Sequence, residues 1–236
     1  MSIIKRREKE RKQRRKDIIN AAEKLFFSKG FDIISMNDIA SEVELSKATL
    51  YLYFENKESL FFAIVLRGTR ILNSMIKNDV EKEKTGIDKI NAFRDAYNKF
   101  TQEYPDHIKI YNYFHSGRFH LTEKKIVEKE KNVEFGNPDN SKPYLSECAN
   151  EILKLREERF SILCNSVKKG INDKTIRQDI DPVEISVLLL SISKNLSTIP
   201  LDRKISLKNR GIDQKTYFKH VSKLIQDMII NQDSEN

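Results

Sequence analysis

The chain has 236 residues, 39% of them hydrophobic and 33% charged, with a formal net charge of +8. No apolar run approaches the roughly 18 to 20 residues a membrane-spanning helix needs, and the N-terminus is too charged for a signal-peptide core, so composition points to a soluble cytoplasmic protein with no membrane partner. Cys148 and Cys164 form no CxxC pair, which suits reduced, buried thiols.

The charge is concentrated at the start. Residues 1–16, MSIIKRREKERKQRRK, carry nine Lys and Arg against Glu8 and Glu10, so nearly all of the net charge sits there. A basic arm on an almost neutral body attracts a polyanion, and the phosphate backbone of nucleic acid is the obvious one. A solvated terminus that only aids solubility is the plainer alternative.

Helical periodicity begins directly after the arm. Ile18, Ala22, Leu25 and Phe26 fall on one helical face, and Gly30 ends it. Ser35 and Asp38 have capping-box spacing, and Met36, Ile39, Ala40 and Val43 give a second, short apolar stripe. After Glu44-Leu45, Ser46 can cap a third helix on which Leu50 and Phe54 turn inward, and Asn56 can cap a long fourth helix bearing Leu60, Phe61, Ile64 and Val65. Two short helices joined by a tight turn are helix-turn-helix organisation. It explains two tyrosines in the polar stretch SKATLYLYFENKESL. With Leu50 and Phe54 inside, Lys47, Thr49, Tyr51 and Tyr53 lie on other sides, where a recognition helix meets DNA. Lys57, in the first turn of the fourth helix, is placed for a phosphate.

The run IINAAEKLFFSKGFDIISMNDIASEVELSKATLYLYFENKESL resembles the DNA-binding domain of the TetR family of bacterial transcriptional regulators, with its AAxxLF, S-M-x-D-I-A, S-K-x-T-L-Y-x-Y-F and K-E-x-L elements in register. The resemblance implies an all-α protein: a basic arm (1–16), a three-helix head (17–60) and a larger helical ligand-binding and dimerisation domain (61–231). It implies a repressor that binds a palindromic operator in double-stranded DNA as a homodimer, needs no cofactor, is not an enzyme and is released by a small-molecule inducer. The DNA-facing set it implies is Ser35, Ser46, Lys47, Ala48, Thr49, Tyr51, Tyr53 and Lys57. Two positions depart from the family pattern: Val43-Glu44-Leu45 replaces the usual Ala-Gly-Val in the turn, and Ala48 replaces a glycine. A non-glycine at Glu44 must tolerate a strained turn or change it.

Beyond the head the residues speak for themselves. Phe93, Tyr97, Phe100 and Tyr104 recur on one helical face, and Tyr111, Tyr113, Phe114 and Phe119 follow Pro105. Ordinary core is the plain reading of each ring. As a set they are the best candidate for an apolar ligand pocket, with His115 and Arg118 as polar groups and Phe160 and Cys164 added from a long helix over about 144–169, ending before Gly170. Residues 121–143 turn polar and suggest a short charged helix and a loop. Asp181, Pro182 and Glu184 then start an apolar helix, and Asp213 precedes a last one. Leu189, Ile192, Val221, Ile225 and Met228 on these two helices are the expected dimer interface. The four histidines show no zinc spacing, and no GxSxG, P-loop or GxGxxG is present. A nucleoid-associated adaptor using the same head without an inducer is the competing reading.

Overall fold

A computed structural model describes residues 3–116, 143–196 and 198–231, and among these it contains ten helices and no strand. They are α1 (Ile3–Lys29), α2 (Met36–Glu42), α3 (Lys47–Tyr51), α4 (Lys57–Lys82), α5 (Gly86–Glu103), α6 (Pro105–Phe114), α7 (Pro143–Asn172), α8 (Pro182–Leu196), α9 (Leu201–Lys208) and α10 (Gln214–Ile229). The all-α expectation holds. Arg118, Phe119 and the polar stretch up to residue 142 lie outside the described residues.

The chain divides into two compact units, Met1–Thr69 with Asp106–Lys154, and Arg70–Pro105 with Leu155–Asn236. In the first unit, the anticipated stripes form the core: Ile18, Ala22 and Phe26 of α1, Ile39 of α2, Leu50 of α3, Phe54, and Leu60, Phe61 and Ile64 of α4 are all 2% exposed or less. Their local signals act as expected. Gly30 ends α1 with φ +86°, and Asn56 Oδ1 accepts the Ser59 N–H at 2.8 Å to cap α4. The packing boundary differs from the sequence one, because α6 and the start of α7 pack with the head.

Two features add to the sequence reading. From Ile3 the basic arm is helical and forms the first half of α1. Straight-chain residues with good helix propensity, together with the Arg6–Glu10 and Glu8–Lys12 pairs four residues apart, favour helix there. And α4 is long and apolar enough to cross a membrane by length and composition, but 72% of its most apolar stretch is buried inside the protein, so it is a core helix.

In the second unit, α7 runs through Gly170 instead of stopping before it. A Cβ there would lie 2.3 Å from the Ile176 side chain, so this glycine serves a close approach inside the unit and not a helix end. Behind it the chain turns at Asp173, whose carboxylate accepts the Gly86 N–H at 2.8 Å and so holds the start of α5. Partial burial works to raise that carboxyl, but the bonds from Thr175 and Gly86 prevail and hold it below the usual carboxylate range. The end of α10 is pinned alongside by Arg177 N–H to Ile229 O at 3.1 Å. Helix α8 opens as anticipated, with Asp181 Oδ1 accepting from the Val183 and Glu184 N–H groups at 2.8 and 3.0 Å.

Candidate nucleic-acid interface

Helix α2 starts from a complete capping box. Ser35 Oγ accepts the Asp38 N–H at 3.2 Å, and Asp38 Oδ2 accepts the Ser35 N–H at 2.8 Å. The Ser35 hydroxyl beside it holds the Asp38 carboxyl below its ordinary value. A group depressed in the folded state stabilises above its unfolded pKa and loses that effect as pH falls. The cap is therefore intact at neutral pH and weakens below the ordinary Asp range.

The turn carries the strain foreseen at Glu44, whose φ is +54°. Its N–H reaches Ser41 O at 3.2 Å, and the Leu45 N–H reaches Ala40 O at 2.9 Å, so the hydrogen bonds of a tight helix exit are kept. Left-handed backbone costs a side-chain-bearing residue about 1 kcal/mol. Glu44→Gly should accordingly raise stability by roughly 0.5 to 1 kcal/mol in urea melts, the gain being trimmed by glycine's freer unfolded chain. A loss of stability would contradict the strain argument.

Helix α3 is short and held at both ends. Ser46 Oγ accepts the Thr49 N–H at 3.1 Å and lies 2.8 Å from Thr49 Oγ1. Leu50 and Phe54 anchor it inside. This leaves Ser46, Lys47 and Ala48 exposed at its N-terminal end, Thr49 half-buried, and Tyr51 43% exposed on its flank. Two neighbours that sequence reasoning did not single out adjoin this surface, Leu52 and Arg15. Leu52 is 75% exposed beside Tyr51. Arg15 donates from Nη1 to Tyr53 O at 3.1 Å and covers the Phe54 ring at 4.3 Å, tying α1 to the end of α3. Its place three residues before Ile18 was the available signal.

Lys57 is engaged elsewhere. Its Nζ donates to Phe31 O at 2.9 Å and lies 4.4 Å from the centre of the Phe31 ring, so it clamps the loop between α1 and α2. Tyr53 is half-buried, its carbonyl taken by Arg15.

The expected pocket residues divide between the two units. Tyr113 belongs to the head's unit: its hydroxyl donates to Asp32 at 3.0 Å, and its ring lies 5.6 Å from both Phe31 and Phe61. Phe114 packs on Phe62 at 5.4 Å and on His115 at 5.0 Å, and Tyr111 meets His115 at 4.4 Å. The same helix α6 carries His107, whose Nε2 lies 3.0 Å from Glu23 Oε1, while Arg67 donates to the other oxygen of Glu23 and to Asn20. These contacts join α6, α1 and α4. They make Tyr113 part of the head's packing.

In the second unit Phe93, Tyr97 and Phe100 of α5 are buried, Phe160 of α7 is half-buried, and Cys164 is buried and free. Beside them a cavity of about 10 Å³ is lined by residues including Arg94, Tyr97, Ser193 and Phe218, room for a single water. Arg94 is 3% exposed, donates to Ser222 Oγ at 2.7 Å, and is pulled down from its ordinary proton affinity by burial, with Asp95 acting the other way.

Of the expected dimer residues, Leu189 and Ile225 are buried within the protomer, Ile192 and Val221 are half-buried, and Met228 is 41% exposed. The apolar side chains turned outward on these helices are Val183, Val187, Leu188, Leu224 and Met228. Among the described residues no group of three or more His, Cys, Asp or Glu is placed to hold a metal.

Residues 18–64 match the family described as bacterial regulatory proteins, tetR family. The chain is 36% identical over 76 residues to the biofilm operon icaADBC HTH-type negative transcriptional regulator IcaR of Staphylococcus aureus, a match covering 32% of this chain and 41% of that one. Such matches span between a quarter and two fifths of the curated relatives' length. Over nearly the whole chain the fold is shared with a tetR-family regulatory protein from Rhodococcus RHA1 (TM-score 0.63, 16% identity, 92% of this chain and 97% of that one). It is also shared with AibR, solved with isovaleryl coenzyme A and operator DNA (TM-score 0.55, 18% identity, 79% of this chain and 87% of that one).

Proposed function

We propose that this chain, with its TetR-type helix-turn-helix on a TetR-type fold, is a dimeric repressor that binds a palindromic operator in the cytoplasm. The observation that carries the reading is the exposed N-terminal end of α3, Ser46-Lys47-Ala48-Thr49 with Tyr51 at its flank, mounted on the buried Leu50 and Phe54. A recognition helix enters the major groove by that end. Lysine and hydroxyl groups there can meet base edges and phosphate oxygens, and the tyrosine offers an apolar face to a thymine methyl with a hydroxyl at its tip. Support for the dimer is the outward apolar surface of α8 and α10.

The test is Lys47→Ala and Tyr51→Ala on a duplex selected from a random-sequence library by the full-length protein. Each substitution should weaken binding to that duplex by about 1–3 kcal/mol, and weaken binding to unselected duplex much less. Equal losses on both duplexes would remove the base-reading role from α3.

Release by a small, largely apolar or amphipathic ligand rests on the aromatic face of α5 and on the co-complex of AibR with an acyl coenzyme A. A ligand with about 100-fold preference for the DNA-incompetent form would suffice as a switch. The burial of Phe93, Tyr97 and Phe100 beside a single-water cavity is the observation behind a second reading, a constitutive DNA-binding adaptor with no inducer, while a cavity of about 170 Å³ at Phe31, Ile110 and Tyr113 keeps room for a ligand. Denaturation midpoints measured with a panel of acyl thioesters and apolar acids separate the two. A shift together with lower DNA affinity supports the repressor, and neither supports the adaptor.

A further inference from the structure

The helical first half of α1 is built with two distinct cationic faces. Arg14, Arg11 and Arg7 lie four, seven and eleven residues before Ile18, the spacing that keeps side chains on one face of an α-helix. They therefore prolong, beyond the head, the stripe through which Ile18, Ala22 and Leu25 enter the core. Lys5, Lys9, Lys12 and Lys16 repeat the same spacing on another side, where they share a surface with Glu8 and Gln13. The two acids of the segment are taken up by other cations: Glu10 pairs with Arg6 at 2.9 Å and Glu8 with Lys12 at 2.9 Å. All three arginines are exposed, and among the described residues none of them has a hydrogen-bond or ion-pair partner.

The stripe leaves the head beside the recognition helix, because Arg15, one residue further in, is bonded to Tyr53 O and covers Phe54. Guanidinium forks grip phosphate oxygens in pairs and are less strongly hydrated than ammonium groups, which is the reason to separate the two faces. Successive arginines on the stripe are about 4.5 to 6 Å apart along the axis, so each can reach a different phosphate.

We infer that Arg7, Arg11 and Arg14 form a second DNA-contact surface, gripping the backbone of the duplex that flanks the groove entered by α3. The inference rests on the DNA-binding reading given above. It makes α1 a rigid lever whose contacts are set by helix geometry, in place of a flexible arm searching for charge. The lysine face then points away from the duplex and contributes only to the long-range field. An anionic membrane surface is the other polyanion such a helix could meet, but among the described residues the apolar side chains of the extension are Ile3 and Ile4 at its tip, too few for an interfacial apolar face.

The experiment compares two full-length variants that remove the same number of charges. One combines Arg7→Gln, Arg11→Gln and Arg14→Gln; the other combines Lys5→Gln, Lys9→Gln and Lys12→Gln. Glutamine retains helix propensity, and circular dichroism checks that it does. Binding to the selected duplex is measured against salt concentration. The arginine variant should lose on the order of 10- to 100-fold in affinity at moderate salt and flatten the slope of log affinity against log salt by roughly 2 to 3. Its hydroxyl-radical footprint should lose protection outside the region that Lys47→Ala affects. The lysine variant should change the slope by less than about 1. Equal effects of the two variants, or an unchanged slope in the arginine variant, would overturn the assignment. So would loss of binding to phosphatidylglycerol vesicles by the arginine variant with DNA binding intact. If instead the wild-type protein selects no duplex, it is the DNA-binding reading itself that fails.

Discussion

Leu188→Glu combined with Leu224→Glu is expected to turn the protein into a monomer and to lower affinity for a palindromic duplex on the order of 10²- to 10⁴-fold. The two leucines are 41% and 69% exposed in the protomer, on α8 and α10, among Val183, Val187 and Met228. A surface of this kind on two neighbouring helices of one unit is where a second copy would bury them, and an isologous interface places each introduced carboxylate in the contact twice. Carboxylates desolvated without a partner cost several kcal/mol, more than a dimer of ordinary affinity can absorb. In the proposed repressor two heads would engage adjacent half-sites cooperatively, whereas one head alone gains only a single groove, so DNA affinity should fall with the dimer. The choice of positions matters. Leu189 and Ile225, on the same helices, are 1% and 4% exposed, so a charge at either would unfold the protomer and say nothing about assembly. Light scattering and circular dichroism together decide the matter: a folded double variant that remains dimeric with unchanged affinity would end the proposal.

The head was legible in its sequence because local rules and core pattern agree there. Ser35 with Asp38, Gly30, and Asn56 are each read by one neighbouring backbone group, and the buried Ile18, Ala22, Ile39 and Leu50 follow a plain helical period. Side chains whose partners are distant in sequence were not legible. Lys57 was assigned to a phosphate on helix-dipole grounds, and only the fold brings it to the carbonyl of Phe31, 26 residues away. The aromatic run from Phe93 to Phe114 is one cluster along the chain, yet Pro105 starts a new helix, and Tyr113 goes to Asp32, 81 residues back. Periodicity states which residues share a face and cannot state what the face meets. Helix α9 was missed because its eight residues offer only the Leu201–Ile205 pair as an apolar stripe, too short to mark a helix, and none of them is buried. At Leu189 and Ile225 the apolar pattern marks burial and no more, since burial against the protomer itself gives the same signal as burial against a second copy.

The largest stability effect of a single methyl group is expected at Gly86, the first residue of α5. A Cβ there would lie 2.0 Å from Gly170 N and 2.1 Å from Gly170 Cα, and 2.7 Å from Ser166 O. All three are backbone atoms of α7, so no rotamer change can relieve the clash, and the Gly86 N–H is also committed to Asp173 at 2.8 Å. Separating the two helices would strain that bond and open the packing of α5, which in turn supports α8. Gly86→Ala should therefore cost about 3 kcal/mol or more, lowering Tm by roughly 6 to 12 °C in a chain of this size. Gly68→Ala is the informative counterpart. Its Cβ would come 2.8 Å from His107 Nδ1, an atom of a side chain that can move, and alanine is favoured over glycine inside a helix such as α4 by about 1 kcal/mol. The two terms oppose each other, so Tm should change by less than about 4 °C. The cost there is local: the imidazole must turn from Glu23, now 3.0 Å away, which loosens α6 from α1 in the head's own unit. Calorimetry of the two variants separates a backbone contact from a side-chain one. If Gly86→Ala melts with the wild type, α5 and α7 do not cross as closely as these distances require.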